Sequence, residues 1–188
     1  MGRWEPNARG RLMQAAFALY GERGFEQTTV AGIAERAGLT ERTFFRHFAD
    51  KREVLFAGAE ALQELLVSTV AEAPASLAPI DAAAVGLEAI GAFIQEGGDL
   101  ARQRQAIIAS STELQERELI KLASLADALA DALRGRGVED PAASLTAEAG
   151  IAVFKVAFER YVDEGNDQEL PWLVRASLDD LRAVTAGR

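Results

Sequence analysis

The sequence contains no cysteine and only one histidine. Disulfide bonds and thiolate metal sites are therefore excluded, and a lone histidine without a partner one helical turn away makes a poor metal site. No signal-like apolar run follows "MGRWEPNARGR", and no stretch approaches the roughly 20 apolar residues that a bilayer span requires. We therefore predict a cytoplasmic protein with no metal, no cofactor and no membrane partner.

The motifs of common catalytic sites are missing as well. The chain has no G-x-x-x-x-G-K-[ST] loop, no E-x-x-H pair and no glycine pattern of a dinucleotide-binding fold. A single histidine close to the N-terminus also leaves little basis for a Ser-His-Asp arrangement. We predict that the protein is not an enzyme, and a helical-bundle enzyme is kept as the more remote alternative.

Helical periodicity dominates the chain, while alternating strand patterns are short, so the predicted fold class is all-α. Glycine, proline and capping residues divide the sequence into three short helices followed by six longer ones. The predicted spans are Asn7–Glu22, Thr29–Arg36, Glu41–His47, Lys51–Glu72, Ile80–Glu96, Asp99–Ala109, Glu113–Arg134, Pro141–Glu164 and Leu170–Val184.

Charge is distributed unevenly along this acidic chain, whose formal net charge is −9. Residues 1–52 hold nine lysines and arginines against six acidic residues, a net charge of +3, whereas residues 53–188 carry −12. A basic head on an acidic body indicates a separate surface for a polyanionic partner. A solvated charge pattern with no partner is the alternative.

The second and third predicted helices are joined by the short turn "AGL", in which Gly38 is free to take a positive φ. Two short helices around such a turn form a helix-turn-helix, whose second helix lies in the DNA major groove. Helical spacing places the apolar side chains of both helices in a small core. The face left outside is polar and aromatic, and comprises Arg42, Thr43, Phe45, Arg46 and His47.

The stretch "TTVAGIAERAGLTERTFFRHFADKREVL" resembles the DNA-binding segment of TetR-family transcriptional regulators. The resemblance covers about residues 9–56, and it implies that Thr29 contacts phosphate while His47 and Lys51 hold the DNA backbone. Two positions depart from the family pattern: Phe45 replaces a common tyrosine, and Arg42 replaces a small residue. The predicted DNA-binding residues are Thr29, Thr40, Arg42, Thr43, Phe45, Arg46, His47 and Lys51.

We therefore predict a DNA-binding domain at residues 1–50 and a ligand-binding and dimerisation domain at residues 51–188. The predicted function is a ligand-responsive regulator, a repressor, that binds a palindromic operator as a homodimer. An effector-independent DNA-binding or architectural protein is the alternative, and a ligand-sized cavity would distinguish the two.

The last two helices carry more apolar surface than one face of a monomer needs, which indicates a twofold dimer. The predicted interface residues are Ala149, Ala152, Val153, Val156, Tyr161, Trp172, Leu173, Ala176 and Leu178.

The effector is predicted to be mostly apolar, because apolar residues dominate the candidate cavity wall. That wall comprises Phe93, Ile107, Ile108, Leu119, Leu122, Phe154 and Phe158. The stretch "DLARQRQAIIASSTELQERELIK" resembles a subset of these regulators that senses acyl-thioester or fatty-acid-like molecules. The resemblance implies that Arg102 and Arg104 pair with an acidic head of the ligand, and pairing with surface carboxylates is the alternative.

Overall fold

The computed structural model describes residues 7–163 and 165–187 of the chain. Within these residues the secondary structure is helical, without a strand, which confirms the predicted all-α fold class. The elements are α1 (Ala8–Arg23), α2 (Val30–Arg36), α3 (Glu41–His47), a 3-10 turn (Glu53–Phe56), α4 (Ala59–Glu72), α5 (Pro79–Glu96), α6 (Leu100–Ala109), α7 (Thr112–Gly135), α8 (Ala142–Val162) and α9 (Leu170–Thr185). The predicted end of the eighth helix, Glu164, lies outside the described residues.

The first of two compact units comprises the chain up to Ala57 together with residues 102–116. Helices α1, α2 and α3 pack against one another around Leu12, Ile33 and Phe44, each of which is 0% exposed. Val54, Leu55 and Phe56 belong to the same core, as do side chains from the later segment: Ile107, Ile108 and Leu114. The compact unit therefore extends past residue 50, where the sequence predicted the domain boundary.

The second unit comprises residues 58–101 and 117–188. Its helix α5 packs against α4, α8 and α9, and α8 packs against α9. Small residues allow these close approaches: a Cβ atom built on Gly150 of α8 would lie 3.2 Å from the Leu87 Cδ1 atom and 3.4 Å from the Leu129 Cδ2 atom. Apolar side chains of α4, α5, α7, α8 and α9 share one buried core.

The predicted fourth helix, Lys51–Glu72, is interrupted in the structure. The Asp50 carboxylate caps the start of this region by accepting hydrogen bonds from the Arg52 and Glu53 N–H groups, at 2.8 and 3.1 Å. A 3-10 turn follows, and α4 begins only after Gly58. Three consecutive side chains of the turn are buried: Val54, Leu55 and Phe56.

Residues 53–72 are long and apolar enough to cross a membrane by length and composition, with a mean hydropathy of 1.4. This differs from the prediction that no stretch of the chain is long and apolar enough to span a bilayer. The apolar side chains of the segment are used in two protein cores, Val54 to Phe56 in the first unit and Leu66 and Val70 in the second. Core helices of proteins outside membranes pass the same test, so the segment is weak evidence for a span.

Candidate nucleic-acid interface

Threonine side chains begin both helices of the helix-turn-helix. Thr29 and Thr40 have extended backbones, and their Oγ1 atoms accept hydrogen bonds from the Gly32 and Thr43 N–H groups, at 3.1 and 3.2 Å. These bonds satisfy N–H groups that a helix leaves without partners at its first turn. Between the helices Gly38 takes a φ of 64°, as the turn requires.

Helix α3 has one buried and one exposed face. Phe44 is 0% exposed, and its ring packs against the buried Phe48 ring with centroids 5.5 Å apart. On the other side Phe45 is 56% exposed and meets the Phe44 ring edge-on, at 5.5 Å and 86°. The buried ring therefore supports the exposed one, and Phe45 presents an apolar surface to its surroundings.

Helix α3 also carries two exposed arginines, Arg42 and Arg46. Neither makes an ion pair or a hydrogen bond with any residue in the described ranges. The Asp50 carboxylate, which lies four residues after Arg46, is held by the Arg52 guanidinium, whose Nε atom lies 2.9 Å from Oδ2. Arg42 and Arg46 are therefore available to guanine edges or phosphates.

Thr43 and His47 lie half-buried on α3. The Thr43 hydroxyl lies 3.0 Å from the Thr40 hydroxyl, so one of them donates to the other. The His47 Nε2 atom is buried and has no hydrogen-bond partner within the described part of the chain. That nitrogen cannot reach a phosphate without a rotation of the ring. The phosphate contact of His47 remains a prediction, and the other ring nitrogen would have to make it.

The Lys51 side chain is hydrogen-bonded to the turn before α2. Its Nζ atom donates to three main-chain carbonyls, those of Phe25 at 2.8 Å, Thr28 at 2.9 Å and Glu26 at 3.3 Å. The same ammonium lies 4.3 Å from the centre of the Phe25 ring. An ammonium has three N–H donors, and all three have acceptors here. The phosphate contact of Lys51 remains a prediction, and it would require that at least one of these hydrogen bonds break.

Ionic groups hold the chain that follows α3. Although partial burial alone would raise the pKa of Asp50, hydrogen bonds from Arg52 and from the Glu53 N–H group lower it below its ordinary value. Arg52 also pairs with Glu113, and both carboxylates raise the pKa of Arg52. Burial, followed by the nearby Asp50 charge, raises the pKa of Tyr20. These charges fix the position of the segment directly after the recognition helix.

The predicted effector residues do not form one group. Ile107 and Ile108 are 6% and 1% exposed in the core of the first unit, so they do not line a cavity in the helical body. Arg104 belongs to the first unit too, where its Nε atom donates to the Leu55 carbonyl at 2.8 Å and its guanidinium lies 5.1 Å from the Phe56 ring centre. Arg102 is half-buried in the same unit.

The remaining effector candidates lie in the second unit. Phe154 and Phe158 stack with their ring centres 6.2 Å apart, and Leu122 packs against the core. Phe93 and Leu119 are 49% and 58% exposed, which is more than an enclosed cavity wall allows. Two surface concavities of the described chain are lined by other residues, one on α8 and one between α1 and α2.

The predicted dimer residues also divide into two sets. Four of them belong to the monomer core, with exposures of 2% to 6%: Val153, Tyr161, Leu173 and Leu178. Neighbours within one protomer cover these four side chains, and helical spacing alone does not tell which apolar stripe of a helix meets its own neighbours. The others lie on outward faces of α8 and α9, where Val156 is 49% and Trp172 is 51% exposed, and Ala149, Ala152 and Ala176 are open or half-open.

The sequence did not predict several residues that stabilise the first unit. The Gln103 Nε2 atom donates to the Phe17 carbonyl at 3.2 Å, and the Tyr20 hydroxyl donates to the Lys51 carbonyl at 2.5 Å. Contacts between positions so far apart in sequence leave no periodic signal. The capping pattern of Asp50 and Glu53 was visible in the sequence, and the structure contains the bond that it predicts.

Comparison with known proteins covers both units of the chain. A family profile described as "Bacterial regulatory proteins, tetR family" matches residues 12–57, and a second, "MftR C-terminal domain", matches residues 77–186. TcmR of Streptomyces glaucescens, an HTH-type transcriptional regulator, is 35% identical over 89 residues, which is 47% of this chain and 39% of TcmR. The chain thus spans about two fifths of that relative.

Solved structures resemble the chain over nearly its whole length. The complex of SmeT with triclosan has a TM-score of 0.65 at 20% identity, over 92% of this chain and 90% of SmeT. FadR of Thermus thermophilus with lauroyl-CoA has a TM-score of 0.52 at 20% identity, over 91% of each chain. At these identities the likeness concerns the fold. Because the C-terminal profile alone spans more than half of the sequence and the N-terminal one covers the helix-turn-helix, the chain belongs to the TetR family of bacterial transcriptional regulators.

Proposed function

We propose that this protein is a ligand-responsive transcriptional repressor of the cytoplasm, which binds a palindromic operator as a homodimer. The exposed face of α3 is the observation on which the proposal rests. It holds two arginines with no partner among the described residues, together with a 56% exposed aromatic ring. Such a surface suits the major groove, where arginine donates to guanine O6 and N7 atoms and an apolar ring contacts a thymine methyl group.

Each side chain of this surface has a distinct role. Arg42 reads a base, because it extends from the first turn of α3, the part of a recognition helix that enters the groove. Arg46 neutralises a phosphate one turn later. Thr29, Thr40 and Thr43 position the helices through their hydroxyls and approach the DNA backbone, and Phe45 contacts sugar or thymine.

Selection of binding sites from random DNA duplexes tests the DNA-binding proposal. Arg42→Ala is expected to lose about 1–3 kcal/mol of discrimination at one base position of the selected operator. Arg23→Ala is the matched control. Arg23 is an exposed arginine at the end of α1, and its substitution removes the same charge from the same unit. Equal losses for both variants would contradict base reading by Arg42 and indicate a general effect of charge.

A homodimer is proposed because one recognition helix covers too few base pairs for useful specificity. Two half-sites about 34–36 Å apart, one turn of DNA, need two heads related by a twofold axis. The outward faces of α8 and α9 carry Leu145, Val156, Trp172 and Val184, each at least 49% exposed. Sedimentation at micromolar concentration is expected to give a dimer, and a strictly monomeric profile would contradict the proposal.

The effector is proposed to be mostly apolar, and an acidic head is a possible addition. Candidates for its contacts in the second unit are Leu122, Phe154 and Phe158. Triclosan in SmeT is largely apolar, and lauroyl-CoA in the Thermus thermophilus FadR joins an apolar acyl chain to a polar part with acidic phosphates. The ligand must bind one arrangement of the dimer more tightly than the other, since equal affinity shifts no equilibrium.

Lauroyl-CoA, free lauric acid and triclosan form the test panel, with a small hydrophilic compound as control. An effector is expected to release operator DNA and to stabilise the protein by about 2.7 kcal/mol at a concentration one hundred times its Kd. Release by hydrophilic compounds alone would contradict the apolar effector. DNA binding that no member of the panel affects would favour the effector-independent protein, an alternative that the tight packing around Gly86 and Gly150 supports.

A further inference from the structure

The exposed face of helix α3 carries two rows of side chains that differ in charge. Positions four residues apart lie above one another on the same face of a helix, so Arg42 is aligned with Arg46. By the same spacing Glu41 is aligned with Phe45. All four residues are exposed. The first row is basic, whereas the second holds a carboxylate and an apolar ring and has no positive charge to attract a phosphate.

The Glu41 carboxylate is not neutralised within the part of the chain that the structure describes. It makes no ion pair and no side-chain hydrogen bond with another residue of that part. The positions three and four residues later, where a helical partner would lie, hold Phe44 and Phe45. Arg42 is an immediate neighbour, and adjacent residues of a helix do not face each other. Glu41 therefore keeps its charge for a group outside the described chain.

The chemistry of the major groove decides which base such a carboxylate can meet. An ionised carboxylate only accepts hydrogen bonds, and phosphates repel it. Guanine and thymine present acceptors to this groove, and adenine presents its amino group beside the N7 acceptor. Cytosine presents the N4 amino group, a donor, without an acceptor of its own beside it.

We propose that Glu41 is a specificity-determining residue of the recognition helix. Its carboxylate accepts a hydrogen bond from the N4 amino group of a cytosine in each operator half-site, and it disfavours the other three bases at that position. The inference rests on the function proposed above and names one base pair that the operator must contain.

Phe45 strengthens the preference for a pyrimidine. Its 56% exposed ring lies one helical turn from Glu41 and is supported edge-on by the buried Phe44 ring. The C5 edge of a pyrimidine lies beside the C4 substituent in the major groove, and it is the apolar surface that such a ring can cover. A ring at this place also excludes water from the hydrogen bond of the carboxylate, and a hydrogen bond is stronger in an environment of low dielectric constant.

Selection of binding sites from random duplexes by the full-length protein tests the base preference. Wild type is expected to select cytosine at one position of each half-site. Glu41→Ala should lower that preference about fivefold or more and leave the other selected positions unchanged. Glu41→Gln should select adenine there, because a carboxamide accepts from N6 and donates to N7. Glu35→Ala is the matched control: it removes an exposed carboxylate from α2 and should keep the cytosine.

A binding measurement with a modified operator tests the hydrogen bond itself. The selected cytidine is replaced by 2′-deoxyzebularine, an analogue whose base lacks the amino group. Wild type is expected to bind the modified duplex about fivefold or more weakly than the natural one. Glu41→Ala, which has no carboxylate to accept the bond, should bind the two duplexes alike.

The outcomes separate base reading from a structural role of Glu41. A carboxylate in the first turn also stabilises a helix through its dipole, and that role alone would lower the Tm and the affinity for all sequences without changing the base preference. This result, or equal effects of Glu41→Ala and Glu35→Ala, would overturn the proposal. If Glu41→Ala does not fold, the nearly isosteric Glu41→Gln supplies the comparison. Failure of wild type to select any operator would refute the proposed function as well, whereas a selected operator without the cytosine would refute this inference alone.

Discussion

Gly86 marks the closest approach of helix α5 to helix α4. A Cβ atom built on Gly86 would lie 2.6 Å from the Val70 Cγ2 atom and 2.7 Å from the Leu66 Cδ1 atom. It would also lie 3.2 Å from the Leu66 carbonyl oxygen. Carbon atoms normally approach to about 3.5–4.0 Å, so Gly86→Ala is expected to push the two helices apart. Val70 cannot yield easily, because its β-branched side chain has one strongly preferred rotamer in a helix.

Two opposing effects determine the magnitude. Alanine is favoured over glycine in a helix interior by about 0.8–1.0 kcal/mol, which would stabilise the variant. Overpacking in a dense core costs about 1–3 kcal/mol, and contacts on two buried side chains place this case near the upper end. The net loss is about 2 kcal/mol, which corresponds to a fall in Tm of about 4–8 °C in a chain of this size.

Thermal unfolding followed by far-UV circular dichroism, at one protein concentration, measures this loss. Gly21→Ala is the matched control: Gly21 also lies in a helix, and its added Cβ would meet only the Gln103 Nε2 atom at 3.5 Å, an ordinary contact. Its Tm should stay constant or rise. The double variant Gly86→Ala with Val70→Ala should lose less stability than the two single variants added together, because the second change removes the clash. An unchanged or higher Tm for Gly86→Ala would refute the steric reasoning.

Three further outcomes are expected. Arg136→Met should lower the free energy of unfolding by about 1–3 kcal/mol in denaturant titrations, because the Arg136 guanidinium binds three carbonyls at the end of α4. Arg175→Met is the control: it breaks only one ion pair of an exposed arginine and should cost less than about 1 kcal/mol. The folded protein lowers the pKa of Asp50, so the ionised Asp50 stabilises the protein above the pKa of an aspartate in the unfolded chain, about 3.9. This stabilisation is lost as the pH falls through the pKa of Asp50 in the folded protein. Asp50→Asn should therefore show a flatter loss of Tm below about pH 4. Trp172→Glu should shift sedimentation towards the monomer with unchanged helical content, and a dimer as stable as wild type would exclude that face.

Local signals in the sequence were sufficient for the elements and the motif. Thr40 was recognised as a helix start, the start of α2 was narrowed to Thr28 or Thr29, and Gly38 was recognised as a turn residue, because a cap or a positive φ depends on neighbours within four positions. Phe44 and Phe48 were assigned to the core and Phe45 to the surface by helical spacing, which also depends only on the local chain. The all-α fold and the exposed face of α3 followed from these observations.

The hydrogen-bond partners of long side chains could not be predicted from the sequence. Lys51 carries a charge that a DNA backbone would attract, and only the folded chain places the Phe25, Glu26 and Thr28 carbonyls around it. Arg104 similarly has a charged group suited to an acidic ligand, and tertiary structure directs it to the Leu55 carbonyl. A flexible side chain reaches many positions, and the competition among acceptors is decided by segments that are distant in sequence.

The sequence by itself determined where most of the helices lie, which face of α3 is exposed, and that residues 1–52 are basic while the rest of the chain is acidic. Only the tertiary structure decided that Ile107 and Ile108 complete the core of the first unit, and that Val153 and Leu173 lie in the core of the second unit. An apolar stripe predicts burial but carries no information about its partner, because hydrophobic attraction is not directional. Which buried surfaces meet is fixed by the complementary shapes of helices that the chain brings together from distant positions.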